Sequence, residues 1–291
     1  MDYSVVHETV YRYESPVVLS QQLLHLTPRV LDFQSLREHR VAVQPEPAET
    51  SARDDYFGNP VTQIMLAAPH DSLTVHAQSK VSVDARPAPV PGEGWGDLRE
   101  RLRSGGAALL EPMQFLYESP HVECFRDQAH YADASFAAGR GMVDAVLDLT
   151  RRIHADFTFD PKATSASTPL REVLARRRGV CQDYAHFMIG CLRTLGLPAR
   201  YVSGYILTAP PPGKPRLVGA DASHAWVSVW CGASSGSSGW VDLDPTNNVL
   251  VGDEHITLAW GRDFSDVTPM RGVILGGGEQ ELAVRVTVVP Q

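Results

Sequence analysis

Residues 176–196 read RRRGVCQDYAHFMIGCLRTLG, a stretch in which a lone cysteine stands where a loop turns into a helix. Thr168-Pro169 opens a first helix, LREVLARRR, with Thr as N-cap, Pro at the first helical position and Gly179 in the turn that ends it. Cys181 starts the next helix, which runs to about Leu195 and stops at Gly196-Leu197-Pro198. A buried cysteine packs as a small hydrophobe. One at a helix N-terminus faces unpaired N–H groups that favour the thiolate. Position alone leaves both readings open, so partners elsewhere in the chain must decide.

A reactive cysteine needs a base within hydrogen-bond reach and a third group to orient that base. Downstream, ARYVSGYIL, HAWVSVW and WVDLDPT read as strands. His224, Trp226, Ser228 and Trp230 share one face of the second, and Trp240, Asp242, Asp244 and Thr246 share one face of the third. A hairpin pairing Trp230 with Trp240 sets Trp226 opposite Asp244, with His224 one diagonal step away and within reach. Bland readings compete. With eleven histidines a His near an Asp is unsurprising, Asp244-Pro245-Thr246-Asn247 is a turn signature, and Asp242 shares the face of Asp244. Trp226 and Trp240 fit a core as well as a substrate wall. Cys181, His186 and Cys191 share a helix without a CxxC pair or paired histidines, so no metal is expected. His186 and Cys191 read as helix packing.

Working outward, residues 1–90 form a strand-rich unit. In YSVVHETVYRY the odd positions from Tyr3 to Tyr13 make one face of a period-two pattern. RPAPVPGEGWG begins a linker, and residues 91–138 are read as linker and short helices. Residues 139–291 complete a second unit, opened by MVDAVLDLTRRIHADF with Val143, Val146, Leu147, Thr150, Ile153 and Phe157 at helical spacing and His154 beside that stripe. TAPPPGKPRLVG could act as a rim before His224, and CGASSGSSG is read as a flexible hairpin loop.

The 291 residues are 43% hydrophobic and 21% charged, with net charge −8, a balance that lacks the footprint of a nucleic-acid binder. The run Arg176-Arg177-Arg178 ends a helix, where cations offset the dipole. No apolar run reaches the length of a membrane span and the first residues do not read as a signal peptide. Four cysteines in so long a chain make no disulfide framework, so a cytoplasmic protein with free thiols is expected.

Three blocks in order, GVCQDYAHFMIGCLRTLGLPARYVSGYI, DASHAWVSVW and GWVDLDPTNN, resemble the signatures of the transglutaminase-like superfamily, most closely its bacterial, cysteine-protease-like branch. YRYESPVVLSQQLLHLTPR resembles that branch's N-terminal strand domain and AWGRDFSDVTPMRGVILGGG its C-terminal segment. The resemblance implies an α+β, papain-like core, with a cysteine helix packed on an antiparallel sheet, plus an N-terminal antiparallel β domain. It implies Cys181 as nucleophile, His224 as general base and Asp244, rather than Asp242, as orienting carboxylate. The expected reaction is acyl transfer through a thioester on a protein or peptide substrate, by hydrolysis or by amine transfer, with no cofactor. Gln182, Trp226 and Trp240 are candidates for substrate or oxyanion contacts. A binding module that keeps the fold without turnover, and an arylamine acetyltransferase-like activity, are the other readings weighed.

Overall fold

The computed structural model describes residues 1–208, 223–232 and 239–291. β1 (Asp2–Leu24), β2 (Gln34–Gln44), β3 (Glu49–Asp54), β4 (Pro60–Leu66) and β5 (His70–Val83) come first. Helices α1 (Trp95–Ser104), α2 (Leu110–Met113), α3 (Arg126–Asp133) and α4 (Met142–Asp156) follow. Next are β6 (Thr158–Phe159), α5 (Leu170–Arg176), β7 (Arg178–Gly179), α6 (Cys181–Thr194) and β8 (Ala199–Ile206). β9 (Ser223–Trp230), β10 (Trp240–Asp244), β11 (Val249–Leu250), β12 (His255–Gly261), α7 (Phe264–Val267), β13 (Met270–Gly276) and β14 (Gln280–Pro290) complete the chain. The rim segment TAPPPGKPRLVG beyond Thr208 and the core of the Ser/Gly tract lie outside the described residues.

β1 is the spine of the first sheet, ordered β2-β5-β1-β4-β3 with β13 and β14 also on β1. The period-two reading holds: Tyr3, Val5, His7, Thr9 and Tyr13 are buried. Met270–Gly276 and Gln280–Pro290, attached by sequence to the second unit, instead hydrogen-bond antiparallel along both halves of β1. Gly276, Gly277 and Gly278 take positive φ (95°, 94° and 62°) where this long partner strand kinks, a backbone conformation that costs glycine little. Met270 lies in the apolar core between the sheet's halves with Val17, Leu24, Ile64 and Leu73.

The second sheet runs β11-β10-β9-β8-β12, antiparallel throughout. α6 packs on β8 and β9, with α3, α4 and α5 against its other sides. Its side chains Phe187, Met188, Ile189 and Cys191 are buried in a core shared with Val227 and Val229 of β9. This is the α+β arrangement expected, a cysteine helix on an antiparallel sheet beside an N-terminal β unit. β12 is an edge, and the first unit covers it. Gln34 holds Thr257 through both amide atoms, donating to its C=O (2.8 Å) and accepting from its N–H (2.7 Å). Asn59 treats Trp260 the same way, at 2.8 and 2.9 Å. Two side-chain amides thus stand in for a neighbouring strand and leave no open template there.

Candidate active site

α6 begins at Cys181 after an extended Val180. Its first turn is fixed by Asp183, whose carboxylate accepts from Val180 N–H (2.8 Å) and from the Thr164 hydroxyl (2.6 Å). That is the acidic half of a capping box, and its charge suits the positive end of the helix dipole. Gly179 was expected to end α5, but Arg177 does so in the left-handed region at φ 49°. Gly179 serves α6 instead, because the Asp183 carboxylate occupies the place its Cβ would need. Likewise α5 is preceded by Pro169 as N-cap, one residue later than expected, and Thr168 Oγ1 accepts from Ser165 N–H.

The β9–β10 register is the one the hairpin argument requires, with Trp240 opposite Trp230 and Leu243 opposite Val227. His224 Nε2 lies 2.7 Å from Asp244 Oδ2, with both side chains buried. Cys181 is the other neighbour that acts on the His224 ring, and with Nε2 on Asp244 the ring nitrogen left to face the sulfur is Nδ1. Cys181 itself is partly exposed. Burial alone would lower the His224 pKa, but the bonds and charges of Asp244 and Cys181 outweigh it and push it up to about 10. Burial also works against a charged Asp244, yet hydrogen bonds from His224, His255 and Asn247 hold its carboxyl well below the usual range. Oδ1 makes the turn that DPTN foretells, accepting from Thr246 N–H (2.9 Å) and Asn247 N–H (3.2 Å). Oδ2 takes the Asn247 amide (2.7 Å) and a second imidazole, His255 Nε2, at 3.3 Å. His154 ties α4 to the same turn through the Thr246 carbonyl (2.9 Å).

The structure therefore brings together Cys181, His224 and Asp244 and sends Asp242 elsewhere. Asp242 is held by Arg86, from the linker, at 2.6 Å. Gln182 donates to the Ala166 carbonyl at 3.4 Å. Trp226 is fully buried with Val202 and Val251 and meets His255 edge-on, so it backs the histidines rather than facing a substrate. Trp240 sits at the far end of β10 from Asp244, under the Arg200 guanidinium and bonded to Glu111. His186 and Cys191 are buried in packing, His186 accepting from Phe264 N–H (3.1 Å). Asp183, Asn247 and His255 escaped sequence reasoning. Asp183 had a legible signal, an acid three residues after a helix N-cap, whereas nothing near His255 in sequence marks it. Among the described residues His224, Asp244 and His255 are the one group whose donor atoms converge, within 4.8 Å, at metal-ligand spacing. Both imidazoles already lie on Asp244 Oδ2, so these donors satisfy one another.

Residues 3–82 match the family model for the bacterial transglutaminase-like N-terminal region, and residues 129–245 match that of the transglutaminase-like superfamily. An uncharacterized protein of Mycobacterium tuberculosis is 40% identical over 294 residues, covering 99% of this chain and 92% of its own. A protein-glutamine gamma-glutamyltransferase of Pseudomonas aeruginosa is 32% identical over 135 residues, which are 46% of this chain and 19% of that protein. The crystal structure of a candidate cysteine protease from Cytophaga hutchinsonii shares the fold, with TM-score 0.74 and 18% identity over 99% of this chain and 90% of that one.

Proposed function

The chain belongs to the transglutaminase-like superfamily, and from that premise we propose that it transfers acyl groups through a thioester on Cys181, with water as the usual acceptor. The observation that carries this reading is His224 held between the Cys181 thiol and the buried Asp244 carboxylate. The Cys181–His224 pair holds one proton that moves between its two groups. Sγ attacks an amide carbonyl, the C–N bond breaks, and His224 gives its proton to the leaving amine. Neutral His224 then takes a proton from water as it attacks the thioester. The C–S bond breaks, releasing the acid and returning the pair to its starting protonation. Asp244 keeps Nε2–H engaged so that Nδ1 faces the sulfur throughout. The Cys181 backbone N–H, at the first helical position, is free of an intrahelical acceptor and suits the oxyanion.

The glutamyltransferase relative favours a second reading, in which a primary amine replaces water. Peptide amides and glutamine peptides incubated with and without a primary amine separate the two. Free acid as the main product supports hydrolysis, and amine-dependent cross-linked product as the main outcome overturns it. Iodoacetamide labelling tests the Cys181–His224 pair itself. Alkylation of Cys181 at pH 6 should slow at least tenfold in His224→Ala; an unchanged rate would mean a fold kept without turnover.

A further inference from the structure

The run Arg176-Arg177-Arg178 does more than end a helix. Only Arg176 lies in α5; Arg177 is the left-handed residue after it, and Arg178 opens β7, three residues before Cys181. Three residues span at most about 11 Å, so the Arg178 backbone stands about one Debye length or less from that of the nucleophile. The segment joining β6 to β7 wraps the same helix start. The Thr164 hydroxyl donates to the Asp183 carboxylate (2.6 Å), and Gln182 reaches back to the Ala166 carbonyl (3.4 Å). Between Phe159 and Arg178 the chain carries five cations, Lys162, Arg171, Arg176, Arg177 and Arg178, against two anions, in a protein whose net charge is −8.

Local pairing leaves positive charge over. Glu172 serves Arg176, and Arg171 turns to Glu123. Asp160 lies 3.6 Å from Arg178, beyond hydrogen-bond length. Lys162 and Arg177 have no carboxylate partner among the described residues, and both are exposed, as is Arg178. The carboxylates of the site itself, Asp183 and Asp244, are buried and engaged in hydrogen bonds. The turn that follows Asp244, residues 247–250, is uncharged. A positive collar on an acidic protein concentrates anions at its centre and turns cations away. We propose that this collar selects anions at Cys181, and that the acyl donor is therefore an acidic peptide. The substrate class rests on the acyl-transfer reading: a carboxylate beside the reacting residue pairs with Arg177 or Arg178 while the carbonyl meets Sγ.

Peptide amides that differ only in Glu, Gln or Lys beside the reacting residue should be turned over in that order. The Glu-to-Lys ratio in kcat/KM should be about tenfold, carried by KM, and should shrink as salt rises. Arg177→Glu with Arg178→Glu should reverse the order. Arg37→Glu with Arg40→Glu, on β2, changes net charge equally and should leave it as it was. Alkylation at Cys181, read on its peptide by mass spectrometry, needs no turnover and so separates the collar from the acyl-transfer reading. The ratio of iodoacetate to iodoacetamide rates should fall about threefold at low salt in Arg177→Gln with Arg178→Gln. If that ratio falls but no peptide amide is cleaved, acyl transfer is wrong and the anion-selecting collar stands. An unchanged ratio, a preference for Lys, or an order reversed equally by the β2 substitutions would each overturn the proposal.

Discussion

Asp244 divides its two carboxylate oxygens between two jobs: Oδ1 closes the turn after β10, and Oδ2 anchors two imidazoles and an amide. His255 is a positioning residue in this arrangement, since it reaches the chemistry only through Asp244. A hydrogen bond to a charged group contributes roughly 1.5–3 kcal/mol. His255→Phe should therefore lower kcat/KM by about tenfold to a hundredfold, while His255→Gln, which retains an N–H donor, should recover most of it. The pH profile is the sharper readout. Without the His255 bond the Asp244 carboxyl rises toward its ordinary range, so the acid limb should move to higher pH in the Phe variant and not in the Gln one. At the other end, His224 keeps its proton until about pH 10. Because its folded pKa is raised, the stability it lends is complete below pH ~6.5 and is lost as pH climbs through about 10. Asp244→Asn should bring the alkaline limbs of both activity and stability downward.

At the scale of the element, α6 is a device for holding one sulfur at a helix start. Its location was legible, because a Gly-Val-Cys step before an apolar helical run is a local pattern. The acid of its cap, Asp183, had a legible signal too, but the part played by Gly179 did not, because a glycine there suits the end of α5 equally well. Gly179→Ala would push the Asp183 carboxylate off Val180 N–H and the Thr164 hydroxyl. Losing those partners should cost about 1–3 kcal/mol in urea unfolding and slow Cys181 alkylation. Asp183→Asn keeps an acceptor in place and should do less on both counts. A Gly179→Ala protein with wild-type stability and alkylation would remove Asp183 from the account of the site.

For the whole molecule, the junction of the two sheets carries its own pH dependence. His7, buried on β1, reaches across to the Tyr205 hydroxyl of β8 (2.9 Å) and to Thr9 (3.1 Å). Burial pushes its pKa down to about 4. Between that value and the unfolded value of about 6.5 the unfolded chain binds a proton that the folded chain refuses, so stability falls as pH drops through this window. Buried His186, pushed down to about 3, adds to the same trend. Thermal unfolding from pH 7 to 4 should show the fall, and His7→Gln should reduce its slope by about one proton. An unchanged slope would place the acid sensitivity elsewhere.

Strand parity, helix starts and the turn at DPTN are short-range properties, and the sequence alone marks the two strands that carry His224 and Asp244 and the helix that carries Cys181, while the register that joins the strands comes from the structure. Parity could not separate Asp242 from Asp244, which share a face; within the residues themselves that choice stayed open. The fold resolves it by bringing Arg86, 156 residues distant, onto Asp242 and His224 onto Asp244. His255 on Asp244, the amide caps on β12 and the return of residues 270–290 to β1 are of the same kind. A carboxylate's role, or an edge strand's neighbour, depends on what chain folding carries within hydrogen-bond reach, and no local pattern encodes that.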